Sequence, residues 1–350
     1  MYFLYSWGSP FQEKGLYSFD PACASVQAYL QLCKAEWKLC PVSSAGISPN
    51  NCLPAITYKN THIESGVWSI VQFLKKEGHD LDAGLDEEQL SQSTAYISLV
   101  QDSLVDSLLF SWYLVSENFA DAIRPRLAKM FKFPLGLFIP TQLKDHAEER
   151  LRFRGITSEI ESSDDKQEAQ EGGNLQALKN KIPRIYLLAK EGFRRHADKS
   201  SHPVYKHAAK CLDLLSTKLG SKQYFFGDAP AMLDAVVYGY LSLVIYPDLP
   251  QSTLKEMVTK SYPNLVALCD RIRERIEEPT VAVEQSWPSS VYSMAKQCVA
   301  SYMPQPKTKQ GDDESNGSRL SENTRSIACA LFVFVGYIVY NDVFSHPAST

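Results

Sequence analysis

Two residues of this chain stand where chemistry would be looked for first. In KLGSKQYFFGDAPAMLDAVVYGYLSLV, residues 218–244, the carboxylate of Asp234 sits inside an otherwise apolar run. Such a group could serve as a general base, ligate a metal, or accept hydrogen bonds that hold a helix end in place. Asp228 is nearby, but no His or Cys lies close in sequence, so a metal site lacks its ligands. The second residue is Cys23. It falls in the first turn of a helix that Asp20 would cap and Pro21 would open, where the helix dipole would lower a thiol pKa. The eight cysteines, at 23, 33, 40, 52, 211, 269, 298 and 329, form no C-x-x-C pair and match no zinc spacing. They read as reduced thiols of a cytosol-facing protein. No metal and no cofactor is expected.

The elements that would position these residues fall into two groups. The first 78 residues read as a small α/β unit. YFLYSW (2–7) is an aromatic-rich strand bounded by Gly8 and Pro10. A helix over 21–34 follows, then strands over 36–42 and 53–58, a short strand at 62–63, and a helix over 64–78 stopped by Gly78. Residues 86–278 read as all-helical. A long amphipathic helix is predicted over 86–114 and another from about 118 to 130. The stretch 131–155 is expected to break at Pro134 and Pro140, with Thr141 capping a charged helix. Residues 156–202 read as an exposed insertion in which Phe193-Arg194-Arg195-His196 forms a basic stretch. Helices are predicted over 204–220 and from Ala231 to Tyr246, the latter apolar on every face and so buried.

Composition narrows the function. The 350 residues are 44% apolar and 22% charged, with a formal charge of −4 and no basic field of the kind nucleic-acid binding requires. The opening MYFLYSWGSP has no basic n-region, and its apolar run stops at Trp7, so a cleavable signal peptide is not expected. Residues 304–326 are polar and contain Gly, Ser and Pro, as a linker does. IACALFVFVGYIVY (327–340) follows, about 21 Å long as a helix against a bilayer core of about 30 Å. Isolated behind a linker, this run is expected to be a membrane anchor. Its short span suits a thin membrane. The linker is placed over 279–325 and the anchor over 326–344.

The order strand–helix–strand, loop, strand–strand–helix resembles the thioredoxin-like fold. Leu53-Pro54 resembles its cis-proline position. Glu64-Ser65 resembles the Glu/Gln-Ser pair of the glutathione transferases, which opens a helix and holds the γ-glutamyl carboxylate of glutathione. By that resemblance Leu53, Pro54, Glu64 and Ser65 are candidates for a vestigial glutathione site. Tyr5, Ser6, Ser9 and Cys23 are the candidates for a thiolate-stabilising group, though none lies in a motif of that family. The stretch around Asp234 resembles the buried helix of the transferase C-terminal domain, which implies a capping role for Asp234. Ala231 stands where those proteins carry Ser or Thr.

KLGSKQYFFGDAPAMLDA (218–235) and FKFPLGLFIPTQLKDHAEERL (131–151) are similar to the metaxins, with weaker similarity over 2–155 and 203–278. The resemblance implies a thioredoxin-like N-terminal domain, a glutathione-transferase-like helical domain and a C-terminal membrane anchor. It implies a non-enzymatic subunit of the sorting and assembly machinery of the mitochondrial outer membrane, its bulk facing the cytosol. Its partners would be the β-barrel core subunit, a second metaxin-type subunit and β-barrel precursors. Trp112, Tyr113, Leu137 and Phe138 are the candidate partner contacts. Two other readings stay open: a tail-anchored enzyme that binds glutathione, and a tail-anchored mitochondrial-dynamics protein of the same fold.

Overall fold

The computed structural model describes residues 1–48, 50–58, 62–131, 135–155 and 202–282. The first group of elements is β1 (Tyr2–Trp7), α1 (Pro21–Leu32), β2 (Trp37–Val42), β3 (Ala55–Tyr58), β4 (His62–Ser65) and α2 (Val67–Lys76). The strands form one mixed sheet in the order β2-β1-β3-β4, with β1 parallel to β2 and antiparallel to β3, and β4 antiparallel to β3. This is the thioredoxin-like arrangement expected from the element order, and the Leu53-Pro54 bond before β3 is cis.

One boundary differs in a way that matters for the site. Glu64 and Ser65 are the last residues of β4, paired with Ile56 and Ala55, and do not open the helix. Gly66, at φ 84°, turns the chain, and α2 starts at Val67. A left-handed residue between strand and helix favours glycine, and Gly66 has open space where a Cβ would stand.

The second group is α3 (Glu87–Leu109), α4 (Arg124–Met130), α5 (Leu135–Phe153), α6 (Pro203–Leu219), α7 (Met232–Ile245), α8 (Thr253–Ser261) and α9 (Pro263–Arg273). Asp86 caps α3 through a reciprocal box with Gln89. The α-helix ends at Leu109, and wide π-type turns carry the chain over 110–114 and 118–123 into α4. Pro140 lies inside α5 and does not break it. It sits in the second turn, where its missing N–H forfeits one backbone bond, so Thr141 caps nothing.

All fourteen residues of α7 are buried, as its all-round apolar pattern predicts. It packs on α1, α3, α8 and α9, and its tightest approach is to α1 at Gly239. A Cβ there would collide with the Ser25 hydroxyl and lie 2.6 Å from the Ser25 backbone nitrogen. The expected linker starts later than residue 279. Leu39 of β2 donates to the Thr280 carbonyl at 2.9 Å and accepts from the Ala282 N–H at 2.8 Å. Residues 280–282 thus cover the outer edge of β2, and Pro41, the next outward-facing residue, has no N–H to offer there.

The rest of the insertion 156–202 before its last residue, the stretch Phe193–His196 within it, and the expected anchor 326–344 lie outside the described residues. His202 is described and caps α6, its ring Nδ1 accepting from the Val204 N–H at 3.3 Å. Among the described residues, no helix is long and apolar enough to cross a membrane.

Candidate functional site

The residues with chemical potential occupy two helix starts. The first is the corner where the cis Leu53-Pro54 meets α2. The Gly66 N–H donates to the Pro54 carbonyl at 2.9 Å, which brings Ser65 beside the proline, as a glutathione site would need. The Ser65 hydroxyl, however, is already engaged. It donates to Asn50 Oδ1 at 2.6 Å, and the Ser48 hydroxyl donates to the same oxygen at 2.6 Å. The amide oxygen of Asn50, carried on the loop between β2 and β3, stands where a ligand carboxylate oxygen would be sought.

Three of the four thiolate-stabilising candidates, Ser6, Ser9 and Cys23, are taken up inside the fold. Ser6 is fully buried, donates to the Trp7 carbonyl at 2.9 Å and accepts from Gln27 Nε2 at 3.0 Å. Ser9 is buried and accepts from the Phe11 N–H at 3.0 Å. Tyr5 is half-buried in β1 between Cys40 and Ala55. Cys23 corrects an expectation. Its backbone N–H is capped by Asp20 at 2.8 Å, as the sequence suggested, but its thiol is fully buried. Burial, with the nearby Asp20 charge, pushes that thiol well above the usual range. Desolvation outweighs the helix dipole, so Cys23 is no nucleophile.

The second helix start is that of α7. Asp234 accepts from the Ala231 N–H at 2.9 Å and from the Phe225 N–H at 3.1 Å, and it is fully buried. It thereby joins the Tyr224–Gly227 turn to the first turn of the helix. Burial raises its pKa to about 7, against the backbone N–H groups of Ala231, Phe225 and Asp234 itself, which lower it, and the neighbouring Asp82 charge adds to the rise. Ala231 has no side chain to cap the next donor. The Met232 N–H instead reaches Asp82 Oδ1 at 2.8 Å, 150 residues away in the connection between α2 and α3.

Asp82 is itself buried and held by Lys75 at 2.8 Å, and its N–H is bound by Asp80 Oδ1 at 2.8 Å. Tyr29 of α1 closes the connection by donating to the His79 carbonyl at 2.9 Å. The start of α7 is therefore capped from two places, and one of them belongs to the sheet half. Sequence reasoning missed Asp82, Lys75 and Tyr29. The missing hydroxyl at Ala231 was the signal that some remote acceptor had to exist.

Two small cavities, of about 10 and 20 Å³, lie at Trp112 and between Tyr17 and Tyr238; each has room for a water or so. Among the described residues no cluster of His, Cys, Asp and Glu could hold a metal.

The four contact candidates separate. Trp112 and Tyr113 are core, at 2% and 4% exposed, with Trp112 edge-on to Phe11 at 5.5 Å. Buried in this fold, they offer no exposed surface to a partner, and Trp112 continues the apolar face of α3 four residues beyond Leu108. Leu137 and Phe138 are on the surface, at 61% and 56% exposed.

Comparison with known proteins bears on both halves. Residues 23–144 match the family model described as an outer mitochondrial membrane transport complex protein, and residues 208–272 match the glutathione S-transferase C-terminal domain. Human Metaxin-1 is 27% identical over 337 residues, which is 96% of this chain and 61% of that protein. The chain thus spans less than two thirds of the length of that relative. Metaxin-3 of Xenopus laevis is 28% identical over 268 residues, covering 76% of this chain and 74% of its own. Metaxin-2 of Mus musculus is 28% identical over 267 residues, covering 76% and 86%. Among solved structures, a glutathione S-transferase of Ceriporiopsis subvermispora in complex with glutathione aligns at 12% identity and a TM-score of 0.47, covering 79% of this chain and 98% of that one.

Proposed function

The chain belongs to the metaxin family, and from that premise we propose that it is a non-enzymatic subunit of a protein-transport complex at the mitochondrial outer membrane. The observation that carries this reading is the match of residues 23–144 to the transport-complex model. That match runs from α1 through the first half of α5, so it takes in both the sheet half and the helical half.

In this reading the transferase-like corner is a fold marker. Ser65 is bonded to Asn50 of the loop between β2 and β3, and Cys23 is an inert core thiol. The cargo is β-barrel precursors. The partners are the β-barrel core subunit of the assembly machinery and a second metaxin-type subunit. The bulk of the protein faces the cytosol, and residues 326–344 form the anchor. A tether from the last described residue to that anchor keeps the folded unit at high effective concentration over the membrane.

Purification of the full-length protein from its own membranes in mild detergent, with partners identified by mass spectrometry, tests this. Recovery of an outer-membrane β-barrel subunit and a second metaxin-like chain in comparable amounts is the expected result. A monomer lacking both would overturn it.

The Gly66 N–H bond to the Pro54 carbonyl, which brings Ser65 beside Pro54, favours one other reading, a glutathione-binding protein of this fold. Retention of the full chain on immobilised glutathione, with elution by free glutathione, would support that reading instead.

A further inference from the structure

The charge of the chain looks evenly spread, but one segment departs from the rest. Between Ala122 and Lys144 there are five basic residues and no acidic one, in a protein whose net charge is −4. Two of the five are used internally. Arg126 stacks over Phe11 at 4.9 Å, and Lys144 lies over Phe119 at 5.4 Å and near Glu148 at 3.6 Å. Arg124 and Lys129 of α4 are exposed and make no ion pair among the described residues. Asp121 is the nearest acid before them in sequence.

The first turn of α5 brings apolar surface to the same place. Gly136 is buried against the end of α4, where a Cβ would collide with the Ala128 carbonyl and lie 3.0 Å from that of Phe131. This close approach sets the first turn of α5, which carries Leu137 and Phe138, against the last turn of α4, which carries Lys129. Both apolar side chains point out of the fold, at 61% and 56% exposed. Further along the same face α5 turns polar, with Gln142, Asp145 and Glu149 exposed. The apolar surface is therefore a small wedge, with the exposed cations Arg124 and Lys129 on the neighbouring helix α4, and not the long stripe of a helix–helix interface.

We infer that Leu137 and Phe138, together with Arg124 and Lys129 of the neighbouring α4, form a docking wedge for an anionic phospholipid surface. The two cations answer the negative potential of the headgroups, and the wedge enters the interfacial region beside them. This rests on the outer-membrane reading above and adds which face of the folded unit lies on the bilayer. An acidic, apolar protein partner is the competing occupant.

The test uses the full chain reconstituted into vesicles that carry a photoactivatable phospholipid. One set is phosphatidylcholine alone and the other contains about 20% phosphatidylglycerol, enough to give a negative surface potential. Cross-linked peptides are mapped by mass spectrometry, and cross-links in 327–340 serve as an internal report on the anchor. The expected result is lipid attached to the peptide holding Leu137 and Phe138, several-fold more in the anionic vesicles.

That signal should fall roughly tenfold in Arg124→Glu/Lys129→Glu, or when salt rises from about 0.1 M to about 1 M and the Debye length shrinks to about 3 Å. All four residues are at the surface, so Leu137→Ser/Phe138→Ser should fold normally and lose the signal too. Anchor cross-links without wedge cross-links would overturn the inference and leave the outer-membrane reading standing. Equal labelling in both vesicle types, or protein–protein cross-links at the wedge in the absence of lipid, would overturn it in the same way. Loss of both sets of cross-links would overturn the anchor and the wedge together.

Discussion

Two helix starts in this protein carry polar residues of the kind that perform chemistry elsewhere, and they have opposite fates. The start of α2 is near the surface. No side chain caps it, and the hydroxyl beside it, Ser65, is bonded to a loop amide. The start of α7 is sealed in the core, where three successive demands for an acceptor, from Phe225, Ala231 and Met232, are met by two buried carboxylates. Water can satisfy an exposed helix end but cannot reach a buried one. The most conspicuous acid in the sequence is therefore structural. The difference also shows how the two halves of the fold are held together, since one of α7's caps comes from the connection that leaves the sheet.

The largest effect is expected from removing the buried cap. Asp234→Ala leaves two buried N–H donors without acceptors and a small void beside them. That should cost roughly 3–5 kcal/mol, read as a fall in the urea midpoint. A loss below about 1 kcal/mol would mean that Asp234 does not serve the turn and helix as its bonds indicate. Asp82→Ala comes next. It frees the Met232 N–H and takes from Lys75 its closer partner, leaving Asp80 at 3.2 Å. The expected cost is about 1–3 kcal/mol. The sharper form of the test is a double-mutant cycle between Asp82 and Asp234. Two caps on one helix start should couple, whereas independent sites would add.

How much of this was legible follows from what each residue touches. The strands, α1 with its Asp20 cap, and α7 from its first to its last turn could be read from periodicity and local capping chemistry. These depend on neighbours in sequence. Asp234's first partner was legible for the same reason, since Ala231 lies only three residues away. Asp82 was not, because its bond to Met232 spans 150 residues and nothing local marks it. Trp112 lies four residues beyond Leu108 on the buried face of α3, so its core position was legible in the periodicity that the partner-contact reading set aside, and Tyr113 is buried beside it. Cys23 misled by sign. Its position at a helix start suggested a low pKa, and burial, which sequence position does not show, reversed it.

A third measurement separates the two helix starts by pH. Burial raises the folded-state pKa of Asp234 to about 7 from an ordinary value of 3.8. Between those values the folded state binds more protons than the unfolded chain. Stability from this group is therefore complete below about pH 4 and is lost as pH rises through about 7. The thermal midpoint of the wild type should fall between pH 5 and about 7.5. Asp234→Asn, which cannot titrate, should flatten that slope. A wild-type midpoint that rises over this range, with the slope unchanged in Asp234→Asn, would mean that the backbone donors and helix dipole outweigh desolvation.

The smallest effects belong to the exposed start of α2, and they decide what that corner is. Ser65→Ala removes one half-exposed hydroxyl bond and should cost about 0.5–1 kcal/mol, because water can replace the lost partner. Asn50→Ala should be similarly mild, and it uncovers the Ser65 hydroxyl. Calorimetric titration of glutathione into the wild type is expected to give no heat of binding, and into Asn50→Ala either none or a weak millimolar response. A response that appears only in Asn50→Ala, and is abolished by adding Ser65→Ala, would mark the loop amide as an internal substitute for a ligand on an otherwise intact site. Wild-type binding that survives both substitutions would place any ligand elsewhere, and the contrast between a spent surface corner and a buried structural cap would have to be redrawn.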